Sequence, residues 1–268
     1  MKIWSRCAIV ILAVELLMLL AAQAQKPDAQ PRAAQAAAAV PFDRHDFSGY
    51  WEFFRSTPGQ GIYATPSQDP PPRTPWGQAR YDAAKPGYGP KAQPGGNDPI
   101  LRCWPSGIPR IMFFPQPFEI VQTKDRLVMF FERERAWRAI WTDGRGHPKD
   151  LEPLWMGHST GKWEGDTFVV DSVGFNDKAW LDFYGNPHSD QMHLVELWKR
   201  VDANTLALSF TVYDPKAYTK PWVSDTKLYK KLTGSAAYME ELFCIADEEQ
   251  AFTNRIRIPA LGKQTPKH

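Results

Sequence analysis

The chain has 268 residues, 43% apolar and 23% charged, with a formal net charge of +2. That length and apolar share support one hydrophobic core and one domain. The charges are interspersed and form no basic stripe, which excludes the electrostatic footprint of a nucleic-acid-binding protein.

The first segment reads as a processing signal. Lys2 and Arg6 flank or precede an apolar run over 7–20 that is interrupted only by Glu15, and Ala22-Gln23-Ala24 is an A-x-A cleavage site. A signal peptide over 1–24 is predicted, and with it a periplasmic or secreted protein. The apolar run is too short to span a bilayer, so no stable membrane insertion is expected after cleavage. Residues 25–40 are Ala, Gln and Pro in low complexity and read as a linker. Removing Cys7 with the signal leaves Cys103 and Cys244, an even pair in an oxidising compartment, and a disulfide between them is expected. Closing so long a loop contributes about 4–5 kcal/mol in the chain-entropy model.

A single domain is expected over 41–250, with a polar tail over 251–268. It opens at Gly49-Tyr50-Trp51, a G-x-W at the entry of a first strand. Residues 56–100 are dense in Pro and Gly, which excludes a central strand or a long helix there. Only 76–84 suits a short helix, with Thr74 as N-cap and Pro75 at its first position. From Cys103 the pattern is antiparallel β: strands are predicted over 117–123, 126–134, 136–142, 154–163, 167–173, 192–201, 205–213, 226–232 and 238–244. The clearest hairpin turns at Glu164-Gly165-Asp166. Consecutive strands at short spacing, few helices and 13% aromatic residues define an all-β, mainly antiparallel fold. The expectation is a lipocalin-like β-barrel with a long Pro/Gly-rich N-terminal loop.

The polar chemistry gathers between Trp155 and His193. Period-2 alternation puts His158 on one face with Leu154 and Met156, and His193 on one face with Val195 and Leu197. If those apolar faces point inward, both imidazoles enter the interior. There they are either core histidines bonded to backbone or Tyr, or partners of acids from the intervening loop. That loop carries Asn176, Asp177, Asp182, His188 and Asp190. The expected proton-moving set is His158, His188 and His193, oriented by Asp177 or Asp190. The i, i+5 spacing of His188 and His193 does not suit a metal site on one element, so neither metal nor cofactor is expected. Trp155, Asn176, Trp180, Tyr218 and Lys220 are the expected ligand contacts, the last two from the rigid loop DPKAYTKPW at a strand end. Gly157-His158-Ser159-Thr160-Gly161 matches G-x-S-x-G, but a strand follows it instead of a helix, so Ser159 is not read as a nucleophile.

The runs WMGHS, WEGDTFVVDSVGFND, WLD, PHSD and DPKAYTKPW, with TPWGQARYDAAKPGYGP and CWPSGIPR upstream, resemble a large family of exported bacterial proteins over roughly residues 45–245. The resemblance implies a barrel similar to that of lipocalin-type proteins and carries no activity across. Two functions follow as expectations. One is an exported barrel that binds an apolar or aromatic small molecule beside an interior His/Asp site. The other is a metal-independent lyase, isomerase or hydrolase that uses the same groups as acid and base.

Overall fold

The computed structural model describes residues 41–54, 64–93 and 96–257. The expected signal peptide, its cleavage site, the linker, part of the Pro/Gly-rich loop and the end of the tail lie outside these residues. The elements are β1 (Gly49–Phe53), α1 (Pro75–Ala83), β2 (Phe118–Gln122), β3 (Arg126–Phe131), β4 (Trp137–Trp141) and β5 (His158–Glu164). They continue with β6 (Thr167–Val173), β7 (His193–Asp202), β8 (Thr205–Tyr213), β9 (Trp222–Val223), β10 (Lys227–Leu232) and α2 (Ala246–Phe252).

Each strand from β1 to β8 pairs with the next, and β10 pairs with both β1 and β8, so nine strands close into a barrel. The short β9 adds to β8 at Thr211 and Val212, beyond the stretch that β10 occupies. All pairs are antiparallel except β4–β5, which is parallel. Parallel neighbours need a crossover connection, and residues 142–157 supply it.

Alternation along the strands fills the interior. Phe168 and Val170 of β6, Leu194 and Trp198 of β7, and Phe210 and Val212 of β8 are all buried in one cluster with Trp51. Trp51 of the G-x-W is fully buried, and its indole N–H donates to the Phe47 carbonyl at 2.8 Å. The barrel interior also contains an ion pair. Arg138 Nη1 of β4 donates to the two carboxylate oxygens of Glu196 at 2.9 and 3.1 Å. Arg138 Nη2 reaches Ser159 Oγ at 2.9 Å, and Trp198 Nε1 donates to Glu196 at 2.8 Å.

The helix starts where expected. Thr74 Oγ1 accepts from the Gly77 amide at 3.0 Å and donates to the Lys216 carbonyl at 2.6 Å. The Thr74 amide donates to the Ala217 carbonyl, and Thr219 donates to Pro72. These bonds strap the Pro-rich segment onto the 214–219 loop. Gly77 is required here, since a Cβ at this position would stand 2.2 Å from the Ala217 carbonyl oxygen.

The Cys103–Cys244 disulfide is present, with 5.5 Å between the Cα atoms and 141 residues between the cysteines. The strand expected over 238–244 is not formed. β10 instead closes the barrel against β1 and β8, and the 238–244 segment is irregular, held by the disulfide and by the Glu240 amide donating to Glu132. The tail expected from 251 begins inside helix α2 and continues as a π turn over Thr253–Arg257. The strand expected from 154 starts only at His158. Gly157 has φ +63° and breaks the extended chain, while Leu154 keeps a single bridge to Phe175.

Candidate functional site

Two clusters of polar groups lie on this frame, and each contains some of the expected residues. The first is on the outer wall. The left-handed turn at Gly157 resets alternation, so Ser159 points inward and His158 outward. On β7 the inward set is Leu194, Glu196 and Trp198, which leaves His193, Val195 and Leu197 outside, the last 43% exposed. The expectation of interior imidazoles is therefore corrected. The apolar Val195 and Leu197 cover the outside, while Glu196 faces inward because Arg138 is there to meet it.

The wall brings His158 and His193 together through two residues that the sequence pattern did not single out, His147 and Asp171. His147 Nδ1 lies 2.8 Å from His158 Nδ1, and His147 Nε2 lies 2.9 Å from Asp171 Oδ1. His193 Nε2 lies 2.8 Å from the other carboxylate oxygen. His193 also stacks on Tyr213, its partner across the β7–β8 pair. Asp171 sits in the middle of β6, and the crossover loop delivers His147 to it. Burial raises the Asp171 carboxyl, but hydrogen bonds and charge from His193 and His147 outweigh that and hold it below the ordinary value. His158 is pushed down, first by burial and then by the neighbouring His147 and Arg145.

Those facts order the protons. An ionised carboxylate only accepts, so His147 and His193 each present Nε2–H to Asp171. In the state where both rings are neutral, His147 has a bare Nδ1, which accepts from His158 Nδ1–H. The chain His193–Asp171–His147–His158 ends with the lone pair of His158 Nε2.

The second cluster is a cleft of about 340 Å³ whose walls include Trp76 and Arg80 of α1, Trp104, Asp177, Trp180 and His188. His188 is 3% exposed, with Nδ1 3.3 Å from the Ser189 carbonyl oxygen. Its Nε2 has no hydrogen-bond partner among the described residues. Burial pushes its pKa down, so the neutral ring is the resting form. Arg80 stands 3.9 Å from Asp177 and lies over the Trp76 ring.

Buried carboxylates shape the loop that carries these groups. Asp214 accepts from the Ser189 amide at 2.6 Å, the Ser189 hydroxyl at 2.8 Å and the Ala217 amide at 3.1 Å. Asp182 accepts from Thr65 Oγ1 at 2.7 Å and from the amides of Tyr184 and Asn186. Its complete burial raises the Asp182 carboxyl.

The remaining expected residues join neither set of reactive groups. Asp190 pairs with Lys216 at 3.4 Å on the surface. Asn176 Oδ1 accepts from the Lys178 amide in a local turn. Trp155 packs edge-on against Trp104, behind the cleft wall. Tyr218 is buried and donates to the Pro187 carbonyl at 2.7 Å, so it packs the loop, and Lys220 is exposed beside it. Ser159 is buried against Arg138 and Ser172, turned away from His158. Among the described residues no group of three or more His, Cys, Asp or Glu side chains is arranged to hold a metal ion, and no helix is long and apolar enough to cross a membrane.

Compared with known proteins, the chain matches no family model, no curated protein and no solved structure.

Proposed function

We propose that this is an exported, small-molecule-binding β-barrel that holds an aromatic, hydrogen-bond-donating ligand in the cleft against α1. One observation carries the reading: a nearly buried neutral histidine with an unpartnered nitrogen lines a cleft walled by Trp76, Trp104 and Trp180. His188 Nε2 is not one of the sealed polar atoms of the described residues, and a ligand hydroxyl or N–H in the cleft would donate to it. The indoles supply apolar area, and Arg80, Asn97, Asp177 and His188 supply polar groups in nearly equal measure. The disulfide supports an oxidising compartment, in keeping with export. The ligand site moves from the barrel interior to the cleft because aromatic side chains fill the interior.

Native mass spectrometry of protein isolated from a periplasm, followed by titration with 2-naphthol monitored by tryptophan fluorescence, tests the proposal. The expected result is a bound organic mass or saturable quenching, with affinity at least about 10-fold weaker in His188→Gln, one lost hydrogen bond. A bare protein mass together with no 2-naphthol binding would overturn it.

A further inference from the structure

The chain of imidazoles on the outer wall is separate from the cleft, and its role stands or falls independently of the cleft's. We propose that it is a general-base centre: His158 Nε2 activates a water molecule against the carbonyl of a small activated ester, with His147 and Asp171 as positioning residues. The geometry points to this role because the chain has a direction. Asp171 is gripped on both oxygens by His193 and His147, and His147 Nδ1 in turn lies 2.8 Å from His158 Nδ1, whose proton it accepts when both rings are neutral. A base whose other ring nitrogen is held by an oriented partner follows the logic of the catalytic triad, here with a second imidazole between base and carboxylate.

The step balances without a cofactor. Water oxygen bonds to the carbonyl carbon as its proton passes to His158 Nε2. The His158 Nδ1 proton moves to His147 Nδ1, so the positive charge settles on His147, whose Nε2–H faces the Asp171 carboxylate. Collapse of the tetrahedral intermediate breaks the ester C–O bond. Return of the two protons along the chain delivers one to the leaving alcohol, and the products are a carboxylic acid and an alcohol. The wall also defines the substrate. The hydroxyl of Ser159 is turned inward and committed to Arg138 and Ser172, so water must be the nucleophile. Asp171 is 43% exposed on this open wall, and the substrate class is therefore an ester that carries its own good leaving group.

The charged and titratable groups around the chain are Arg145 on the crossover, Lys162 on β5, His193 on β7 and Tyr213 on β8. Arg145 pairs with Asp143 at 2.5 Å and Lys162 with Glu164 at 2.6 Å, while Lys162 also feels the Asp171 charge.

The probe is p-nitrophenyl acetate with the whole protein, read alongside ¹⁵N spectra of the histidine rings. The expected rate exceeds that of buffer and falls about 100-fold or more in His158→Gln, the usual weight of a positioned base. In wild-type protein above neutral pH, the spectra should show His147 as the Nε2–H tautomer and His158 as the Nδ1–H tautomer. Asp171→Asn should shift the inflection of the pH–rate profile and scramble the His147 tautomer while the circular dichroism stays native, an effect that a merely structural residue would not produce. A wild-type rate no greater than that of buffer, an unchanged rate in His158→Gln, or a His158 Nε2–H tautomer would each overturn the proposal.

Discussion

The barrel wall carries two polar networks back to back, built from neighbouring residues of the same strands. On β5, Ser159 belongs to the inner network and His158 to the outer; on β6, Ser172 is inner and Asp171 outer; on β7, Glu196 is inner and His193 outer. The inner network is sealed. Glu196 is fully buried, and its oxygens take Arg138 and the Trp198 indole. Among the described residues only the Arg138 Nε of this network lacks a partner. The outer network is half exposed and ends on ring nitrogens that no side chain of the described residues satisfies. A closed polar network inside a core specifies structure, whereas an open one on a surface is available for chemistry.

The strongest way to break that contrast is to open the sealed side. Arg138→Met leaves Glu196 as an uncompensated buried charge, and such losses cost about 3–5 kcal/mol. Chemical denaturation should show this as a lowered midpoint at unchanged slope. Adding Glu196→Gln should restore a large part of it, because the charge goes with its partner. Equal stability of the single and double variants would show that Glu196 is not the source of the penalty.

How far these networks were legible in the sequence differs for the same physical reason. Local patterns were readable: the Glu164-Gly165-Asp166 hairpin, the Thr74 cap, the Cys103–Cys244 bridge and the barrel itself follow from turn chemistry, capping and the pairing of the two cysteines of the expected domain. The facing of His158 was not, because one left-handed residue, Gly157, cancels the parity inherited from Leu154 and Met156. Nor was the facing of β7, where the buried side mixes Leu194 with Glu196 and the outer side mixes His193 with Leu197. His147 lay in what reads as a turn, and only the parallel β4–β5 crossover returns it to Asp171. Of the expected acids, Asp177 reaches the cleft, but its partner there is Arg80. Asp171 carried a signal in retrospect: it is a charged residue at an outward position between the apolar inward residues Phe168 and Val170 and the small Ser172.

A smaller effect is expected at the cleft, which depends on the strapped segment more than on the barrel. Thr74→Ala removes the acceptor for the Gly77 amide and the hydroxyl that reaches Lys216. Loss of an N-cap costs about 1 kcal/mol. Hydrogen exchange over α1 should rise while the strand amides keep their protection, and 2-naphthol binding should weaken with it. Equal loss of protection in β6 and β7 would instead make the strap part of the barrel's cooperative unit.

The smallest expected change in stability lies on the open side, and its sign can be worked out. His158 and His188 are held below the ordinary imidazole value of 6.5, so the unfolded chain takes up protons first and stability falls as pH drops below about 6.5. Asp171 is held below its ordinary 3.8, so its contribution is complete above that value and is lost as pH falls through the folded pKa. The two losses occupy separate windows. His188→Gln should flatten the upper one, more than His158→Gln does, because His188 is buried and His158 only partly so. Asp171→Asn should leave the upper window in place and shrink the lower one, at a cost below about 1 kcal/mol near neutral pH, because solvent screens so exposed a carboxylate. Thermal melts from pH 8 to pH 3 read both windows. A loss of several kcal/mol at pH 7 in Asp171→Asn would place Asp171 with the sealed network, and the two faces of β6 would then serve the same end.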